Sequence, residues 1–428
     1  MPVASPPLLI ASCRQLLTLQ GSKPPRRGRA LRELGLIANG AVLMADGRIA
    51  AVGPTRTVER HRLAAKAAKL DARHWVVLPG FVDSHTHLIF AASRVEEYEQ
   101  RIRGATCEQI VRRGGGILSS VKRLRQAPAE LLLEQARLRL AEFARHGTTT
   151  LEAKSGYGLD LANELKTLEV LRLLNREGPL EIVPTFLGAH VVPPEYKRRP
   201  QAYVDLLVHR MIPTVASLGL AEFCDVFCDR GAFTPSQTRH ILKAGRVCGM
   251  EPRLHADQLA RTGATRLAVD LHAASADHLE RINRADIRAL ARSDTVATLL
   301  PGAVFHLGKD TYPPARELIE AGAAVALATD FNPGTSPTLN MQAILALACT
   351  QMRMTPAEAI IASTLNTAYS LRRADRIGSL EVGKQADLIA FELSDYREIP
   401  YYFGVNHCRL TLKRGQVVYD GRARPATA

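Results

Sequence analysis

The sequence predicts an α/β fold in which a (β/α)8 TIM-like barrel carries a small β-sandwich domain built from both termini. Three observations support this prediction. The middle of the chain alternates eight short apolar runs with helix-length amphipathic segments, whereas both ends read as short strands and turns. A chain of 428 residues is too long to fold around one small core. Its content of 46% hydrophobic but only 5% aromatic residues suits an aliphatic interior. The predicted segments are residues 1–75 and 373–428 for the β-sandwich and residues 76–372 for the barrel.

The terminal segments are predicted from hairpin patterns. Near the N-terminus, residues 41–44 and 49–52 lie on either side of Asp46-Gly47, a common hairpin turn pair. The C-terminal pattern is similar, so the simplest arrangement is one β-domain assembled from both ends. The strands predicted there are residues 386–391, 410–413 and 416–419, the last two joined by Arg414-Gly415.

The barrel is predicted from apolar runs of strand length separated by helices. One intervening helix is clear, because apolar residues recur at helical spacing from Leu133 to Ala144 and Gly147 follows where a helix C-cap belongs. Eight such βα units would carry their chemistry on the C-terminal rim of the barrel. The predicted barrel strands are residues 76–87, 148–154, 182–190, 222–227, 252–255, 274–278, 296–300 and 323–330.

The net charge of +14 and the pI near 9.7 raise the question of nucleic-acid binding. The basic residues are dispersed in short clusters, with no reader motif and no basic helix beside interleaved aromatic residues. We therefore expect no nucleic-acid partner and interpret the charge as a solvated surface that is compatible with a small anionic substrate.

The cysteine pattern and the hydropathy of the chain predict a reducing, cytoplasmic compartment. The seven cysteines are odd in number and show no framework spacing, which favours free thiols in a reducing environment. Cys224 and Cys228 are the one close pair, and a structural zinc site there would lack its remaining ligands. With neither a signal peptide nor a run of ~20 apolar residues, we expect a cytoplasmic protein with no membrane partner.

Histidines and one aspartate end several of the predicted strands. His85 and His87 are one residue apart, so on a strand both imidazoles would face the same metal ion. Together with His255 and Asp330 they supply the nitrogen and oxygen ligands of a mononuclear hydrolytic metal site. Each residue alone also fits an ordinary structural role. Single histidines commonly lie in cores or on surfaces, and Asp330 could cap the turn-forming segment that follows it. Their joint placement at strand ends favours a site.

Further residues are expected at the same rim. His278 would polarise the attacked group, and Gln258 lies three residues after His255. The segment Lys154–Gly158 has two glycines beside Tyr157, which suggests close approach of the backbone to a ligand; a tight turn with a packing tyrosine is the alternative. Arg94 could clamp a carboxylate. Residues 114–116, three glycines without the Lys-Ser/Thr of a P-loop, are interpreted as a flexible segment near the mouth.

The motifs at these positions resemble those of the amidohydrolase superfamily, whose members are metal-dependent hydrolases. PGFVDSHTH at residues 79–87 is similar to the opening of its barrel, and GSLEVGKQADL at residues 378–388 to the return into its β-domain. A closer resemblance is to the imidazolonepropionase family of histidine degradation, and it extends from about residue 75 to 420. Its motifs are EAKSGYGL at 152–159, FLGAH at 186–190, FCDVFC at 223–228, HAD at 255–257, SADH at 275–278 and ATDFNPG at 328–334.

The resemblance implies a reaction, a cofactor and a set of roles. The expected activity is hydrolysis of the cyclic amide C–N bond of 4-imidazolone-5-propanoate to N-formimino-L-glutamate, the third step of L-histidine degradation to L-glutamate. The implied assembly is a homodimer with one zinc or iron ion per subunit. The implied metal ligands are His85, His87, His255 and Asp330; the implied catalytic residues are Asp330, His278 and Gln258; and the implied substrate-binding residues are Arg94, Tyr157, His190, Gln258, Asn332, Gly334 and Thr335.

Two positions differ from the pattern most firmly associated with the family. Thr335 stands where some members have serine, which preserves the hydroxyl, and Gln258 stands where some have glutamate. An amide is no general base, so any proton shuttle would use Asp330 or His278. The choice between zinc and iron and the role of Lys154 stay open.

Other functions fit parts of the pattern. A deaminase or another cyclic amidase could use the same metal site, and deamination would release free ammonia where ring opening does not. A binding scaffold without chemistry would be expected to lack some metal ligands, and all four are present. A nucleic-acid-binding role would rest on net charge alone.

Overall fold

The computed structural model describes residues 6–422 and confirms the predicted barrel with a separate sheet beside it. Residues 1–5 and 423–428, at the outer ends of the predicted terminal segments, lie outside the described residues. The two boundaries between the three predicted segments stay predictions. The strands are β1 (Leu8–Leu17), β2 (Leu36–Ala45), β3 (Arg48–Pro54), β4 (Ala68–Asp71), β5 (Val76–Pro79), β6 (Phe81–Asp83), β7 (Thr148–Lys154), β8 (Glu181–Ala189), β9 (Phe223–Cys228), β10 (Glu251–Ala256), β11 (Ser275–His278), β12 (Val296–Leu299), β13 (Val325–Leu327), β14 (Leu388–Phe391), β15 (Cys408–Lys413) and β16 (Gln416–Asp420).

Strands β6 to β13 form the barrel, each hydrogen-bonded in parallel to the next along the chain. The barrel closes beyond the last strand residues, where Thr86 forms a parallel bridge with Phe331. Two backbone bonds reinforce this closure: His87 N donates to Phe331 O at 2.8 Å, and Asp330 N donates to His85 O at 3.0 Å. The first and last strands of the barrel are therefore joined at the rim where the predicted ligands lie.

The predicted first barrel strand, residues 76–87, is wrong in its first part. Val76–Pro79 belongs to the terminal sheet, where it pairs with β14 and β1, and only Phe81–Asp83 pairs in the barrel. The chain changes sheets at Gly80, where a Cβ atom would lie 2.3 Å from the side chain of Thr149. A continuous apolar run cannot reveal this switch, because both sheets bury the residues they receive.

The terminal sheet takes its strands from both ends of the chain. Its order is β16-β15-β14-β5-β1-β2-β3, with β4 paired to β1. Both predicted hairpins are confirmed, and their turn residues adopt the positive φ angles that this turn geometry requires. Those φ angles are 51° at Asp46, 74° at Gly47, 49° at Arg414 and 72° at Gly415.

Alternation along β5 shows how this sheet is packed. Val76 and Leu78 face the large core shared with the barrel, while Val77 faces a second apolar core formed within the terminal strands. That second core gathers residues such as Leu16, Val42 and Leu388 from strands at opposite ends of the sequence. The terminal sheet is consequently buried on one side against the barrel and on the other against its own strands.

Most helices pack around the barrel, and α5 (Ala129–Arg145) confirms the predicted helix, with Gly147 at φ 94° just after its end. No helix among residues 6–422 has the length and apolar character needed to cross a membrane. A π turn, Leu207–Met211, joins α7 to α8. The helices are α1 (Thr55–Val58), α2 (Val95–Ile102), α3 (Cys107–Arg112), α4 (Ile117–Gln126), α5 (Ala129–Arg145), α6 (Leu161–Glu177), α7 (Pro200–Leu206), α8 (Ile212–Ser217), α9 (Pro235–Val247), α10 (Ala264–Asp270), α11 (Arg284–Ala291), α12 (Pro301–His306), α13 (Ala315–Glu320), α14 (Met341–Met352), α15 (Pro356–Ala362), α16 (Leu365–Ser370) and α17 (Glu398–Tyr401).

A buried ion cluster joins the terminal sheet to the barrel. Lys413 Nζ, on β15, donates to Asp387 Oδ2 at 2.7 Å and to Glu181 Oε2 at 3.1 Å. It also donates to Thr150 Oγ1 at 3.0 Å, on β7. These three charged side chains are less than one-tenth exposed. Because a buried charge is costly unless it is paired, the cluster holds the two sheets in one arrangement.

We predict that Lys413→Met lowers the free energy of unfolding by about 3 kcal/mol, because Asp387 is left as a buried charge without its cation. Urea unfolding followed by circular dichroism measures this loss. Asp294→Asn is the control, since it breaks an ion pair with Arg27 in which the aspartate is 85% exposed. The control should lose less than about 1 kcal/mol, and equal losses in both variants would contradict the prediction.

Candidate active site

A cavity of about 190 Å³ opens at the C-terminal mouth of the barrel. Ten of the twelve predicted site residues line it; His85 is fully buried beneath it, and Gly334 is adjacent to two residues of its wall. The structure therefore brings the predicted set together from six different barrel strands and the loops after them. The lining members of the set are His87, Arg94, Tyr157, His190, His255, Gln258, His278, Asp330, Asn332 and Thr335.

Two overlapping groups of side chains in this mouth are placed to share a metal ion. His85, His87 and Asp330 form one group, and both imidazole Nε2 atoms lie 3.6 Å from Asp330 Oδ1. His85, His255 and His278 form the other. Within each group the ligand atoms lie within 4.8 Å of one another. His85 belongs to both groups and is therefore the centre of the arrangement.

The donor atoms fit a metal ion. His85 Nε2 and His255 Nε2 are buried and have no hydrogen-bond partner among the described residues. Buried polar atoms are rarely left unpaired, so two such nitrogens with an adjacent carboxylate are the pattern expected of ligands. The residues present therefore suit one divalent ion held by imidazole nitrogens and a carboxylate oxygen.

Carboxylates behind two of the histidines fix their ring orientation. His85 Nδ1 lies 2.7 Å from Asp277 Oδ2, and His255 Nδ1 lies 3.1 Å from Asp225 Oδ2. An imidazole whose Nδ1–H faces a carboxylate presents a bare Nε2 on its other side. Both aspartates are fully buried, and neither was predicted as a site residue. Asp225 has a sequence signal, since it is the one charged residue of an apolar strand, whereas Asp277 lies in the polar strand SADH and has none.

Burial also controls the protonation of the ligands. It lowers the pKa of His85, His87 and His255, so these imidazoles are neutral, as ligands must be. Burial raises the pKa of Asp330 to about 7, and a bound cation would lower it again. For His278, burial opposes protonation, but the carboxylates of Glu280 and Asp330 outweigh it and the pKa is raised.

The backbone at two site residues lies in the left-handed region. His278 has φ 83° and Asp330 has φ 54°, conformations that side chains other than glycine seldom adopt. Asp83 holds the strand before Asp330 in place, because its carboxylate accepts hydrogen bonds from Thr329 N at 3.1 Å and Thr329 Oγ1 at 2.5 Å. Strain of this kind persists where the surrounding structure enforces it and is common at functional sites.

The loop after Asp330 is shaped by Asn332. Its Oδ1 accepts from Gly334 N at 2.9 Å and Thr335 N at 2.7 Å, and its Nδ2 donates to Asp330 O at 2.6 Å. A Cβ atom on Gly334 would lie 2.1 Å from Arg94 Nη1, so glycine at this position permits the close approach of the guanidinium.

Arg94 lies at the start of α2 and is held by Glu97. Its Nε and Nη2 donate to Glu97 Oε2 at 2.9 and 2.6 Å, and both side chains are less than one-tenth exposed. The other oxygen of Glu97 accepts from Gly116 N at 3.1 Å. The segment 114–116 thus lies beside the mouth, as predicted. Glu97 itself was missed, since a carboxylate three residues after an arginine is common on helix surfaces.

The glycine-flanked loop after β7 contributes Tyr157 and positions His190. Glu164, buried on α6, accepts from the backbone N–H groups of Gly156 at 3.0 Å, Gly158 at 2.7 Å and Leu159 at 2.9 Å. His190 Nδ1 lies 2.9 Å from Gly156 O. Its ring stacks on that of His87 with 5.2 Å between centroids. The loop is a tight turn held by a carboxylate, and its tyrosine lines the cavity.

Five further residues line the cavity and were not predicted. Four supply an apolar wall, and the fifth is an exposed lysine at the mouth. Their apolar or surface character carries no sequence signal for a site. They are Ile117, Phe227, Leu259, Leu307 and Lys309.

The close cysteine pair packs in the hydrophobic core. Cys224 and Cys228 are buried on β9, and neither belongs to any group of three ligating side chains within residues 6–422. Burial raises the pKa of both thiols, so the protonated form is favoured. They are free thiols that pack in the core.

Comparisons with known proteins agree with this geometry. The sequence profile of the amidohydrolase family matches residues 76–418. An imidazolonepropionase from Geobacillus kaustophilus is 48% identical over 421 residues, covering 97% of this chain and 99% of that protein. One from Solibacter usitatus is 50% identical over 410 residues, covering 96% and 98%.

Solved structures share the fold at low sequence identity. An adenosine deaminase from Xanthomonas campestris with bound zinc has a TM-score of 0.70 at 18% identity, covering 98% of this chain and 94% of that one. A mutant of atrazine chlorohydrolase from Arthrobacter aurescens TC1 in complex with zinc has a TM-score of 0.74 at 18% identity, covering 98% and 97%. At this identity the likeness concerns the fold alone.

We predict that Zn²⁺ raises the melting temperature of the metal-free protein, since an ion that binds only the folded state stabilises it by about 4 kcal/mol at a thousandfold excess over its Kd. His85→Ala should abolish most of this shift. His240→Ala, an exposed histidine on α9, should retain it. Differential scanning fluorimetry of the three proteins makes the measurement, and an undiminished shift in His85→Ala would refute the proposed ligand.

Proposed function

The chain belongs to the amidohydrolase family and, within it, to the imidazolonepropionases, and on this premise we propose how its residues perform the reaction. The protein is a hydrolase of carbon–nitrogen bonds in cyclic amides. It converts 4-imidazolone-5-propanoate to N-formimino-L-glutamate, the third step of histidine degradation. Water adds to the ring carbonyl carbon, the bond from that carbon to the ring nitrogen breaks, and the nitrogen takes a proton.

The observation that carries the proposal is the buried set of His85, His87, His255 and Asp330 at the barrel mouth. Members of this family depend on a metal ion, and we propose that these four side chains hold one zinc or iron ion per subunit. A bound ion of this kind supplies Lewis acidity, which lowers the pKa of water and polarises a carbonyl group. The neutral imidazoles and the carboxylate are suited to either metal.

Proton movement is assigned to Asp330 and His278. Asp330 Oδ1, close to the Nε2 atoms of two ligands, would take the proton of the attacking water and return it to the ring nitrogen. His278, whose pKa nearby carboxylates raise, would stabilise the negative charge that develops on the carbonyl oxygen. Gln258 lines the same cavity but has an amide, so it would bind the ring rather than act as base.

Arg94 is proposed to bind the propionate tail of the substrate. Its guanidinium is oriented by Glu97, lines the cavity and has the planar donor pattern that matches a carboxylate. Tyr157 and His190 would contact the ring from the second and third strand ends. The loop residues Asn332, Gly334 and Thr335 would complete the pocket for substrate or product through their backbone and polar side-chain groups.

An exposed apolar groove supports the proposal of a homodimer. The groove has a volume of about 1000 Å³ and is lined largely by apolar groups of α12, α14 and α17. Phe305, Tyr401 and Phe403 on its walls are 65%, 74% and 78% exposed. Apolar patches of this kind are typical of protein interfaces. The helix that carries Phe305 leads directly into Leu307 and Lys309 of the active-site wall, so a second copy seated there would also support the site.

We further propose the cytoplasm as the compartment, in keeping with the free thiols of the described cysteines.

The test of the proposed function is turnover of imidazolonepropionate, followed by its loss of absorbance with metal content measured on the same sample. We expect metal-dependent loss, formation of formiminoglutamate and no free ammonia, with His85→Ala inactive. Release of ammonia would instead indicate a deaminase. Bound metal without turnover would contradict the substrate assignment and favour another cyclic amide.

Arg94→Ala should raise KM for imidazolonepropionate by roughly 10- to 100-fold, because a charge-assisted hydrogen-bonded pair with the propionate is lost. Metal content should not change, since Arg94 contacts no proposed ligand. Arg94→Lys keeps the charge but loses the forked geometry of the guanidinium, so its KM should lie between those of the wild type and Arg94→Ala. Arg113→Ala, an exposed arginine nearby, is the control. Steady-state kinetics decides, and an unchanged KM would refute the clamp.

Light scattering coupled to size-exclusion chromatography should give twice the 46.7 kDa mass of one chain. Placing charges in the groove with Tyr401→Lys and Phe403→Lys should yield monomers, because burial of two lysines in an apolar interface is unfavourable. A monomeric wild-type protein, or a double variant that stays dimeric, would contradict the proposed interface.

A further inference from the structure

Five charged side chains occupy the barrel interior directly behind the metal ligands. They come from four strands, β7, β9, β10 and β11, and each is completely buried. Placing charges in a protein interior is costly unless they are paired, and apolar residues would fill the same volume more stably. The cluster therefore calls for a role other than packing. Its members are Glu152, Lys154, Asp225, Arg253 and Asp277.

Lys154 links this cluster to a metal ligand through one shared oxygen atom. Its Nζ lies 2.7 Å from Glu152 Oε1 and 2.8 Å from Asp225 Oδ2. The same Asp225 Oδ2 lies 3.1 Å from Nδ1 of His255. Apart from these two ion-pair contacts, neither oxygen of Asp225 has a hydrogen-bond partner among the described residues. The contacts at Oδ2 thus determine how this carboxylate is turned.

Arg253 serves the second carboxylate in a similar way. Its Nη2 lies 3.4 Å from Asp277 Oδ2, the atom that faces His85 Nδ1 at 2.7 Å. Arg253 is also tied to the backbone, since it donates to Ser84 O at 2.8 Å and Ser370 O at 3.2 Å. Because of these backbone contacts, replacing Arg253 would disturb the fold, and Lys154 is the cleaner probe of the cluster.

We propose that Lys154 is a positioning residue of the metal centre: it holds Asp225 in the orientation in which that carboxylate directs Nε2 of His255 toward the ion. The inference rests on the proposed metal site but not on the identity of the substrate. It assigns a role to a buried lysine that contacts neither the cavity nor the reacting atoms.

The charge of Lys154 and its positioning role predict opposite changes in metal affinity when the residue is replaced. The five side chains carry three negative and two positive charges, and Asp330 adds a further negative charge, which leaves two for a divalent cation to balance. Removing Lys154 makes the centre more negative, so a purely electrostatic effect would tighten cation binding. Loss of positioning would weaken it, because groups that orient a ligand typically contribute roughly 10- to 100-fold to metal affinity. The sign of the change is therefore diagnostic.

Lys413 is a matched control for Lys154. It too is a buried lysine paired with two carboxylates, but its contacts are Asp387, Glu181 and Thr150, and it touches no proposed ligand. Replacing it should cost stability without changing the metal centre.

The experiment measures Zn²⁺ affinity by competition with a chromophoric chelator, and the absorption spectrum of the Co²⁺-loaded protein, for wild type, Lys154→Met and Lys413→Met. We expect Lys154→Met to bind Zn²⁺ roughly 10- to 100-fold more weakly with an altered Co²⁺ spectrum. Lys413→Met should match wild type in both. Unchanged or tighter Zn²⁺ binding in Lys154→Met would overturn the proposal, as would equal weakening in Lys413→Met.

A second variant keeps the test decisive if Lys154→Met does not fold. Glu152→Gln combined with Lys154→Met removes one charge of each sign and leaves Asp225 without its lysine. Weaker Zn²⁺ binding in this double variant supports the positioning role, and wild-type affinity refutes it. A wild-type protein that binds metal but does not turn over imidazolonepropionate would contradict the proposed function. It would not contradict the positioning role of Lys154.

Discussion

The backbone hydrogen bonds that close the barrel between residues 85–87 and 330–331 are the constraint on which the rest of the site depends. They pair segments almost 250 residues apart, and each of the paired segments carries proposed ligands. His85, His87 and Asp330 consequently meet without any flexible loop between them. Strands β7 to β12 are bonded on both sides, and the bridge between Thr86 and Phe331 joins the two end strands just beyond their last residues, so these positions are held more rigidly than in free loops.

Burial then determines the chemical state of these side chains. Desolvation favours the neutral form of the imidazoles proposed as ligands, while Asp277 and Asp225 orient two of them so that their Nε2 atoms point away from the supporting carboxylates. His278 is the exception, since nearby carboxylates outweigh its burial. The same rim therefore shifts the pKa of its imidazoles in opposite directions, down for His85 and His255 and up for His278.

The loops at the mouth of the cavity are held by buried side chains that accept hydrogen bonds from their backbone. Three side chains accept hydrogen bonds from backbone N–H groups of loops at the mouth and so fix the positions of glycines in those loops. They are Glu164, Asn332 and Glu97. A carboxylate or amide that satisfies buried N–H groups removes a cost that would otherwise open the loop. Tyr157, Arg94 and Thr335 therefore face the cavity from ordered backbone, which would lower the entropy lost if they bind the substrate as proposed.

Local pattern was enough to predict the barrel, the terminal hairpins and most residues of the site, because period-2 alternation, turn pairs such as Asp46-Gly47 and polar residues at strand ends are local signals. It failed at residues 76–79, whose partner β14 lies about 310 positions away. It also missed Asp225 and Asp277 and left Lys154 without a role. The sequence by itself determined which side chains reach the C-terminal rim. Only the tertiary structure decided which of them touch, because hydrophobic periodicity reports burial and not the register or closure that selects a partner.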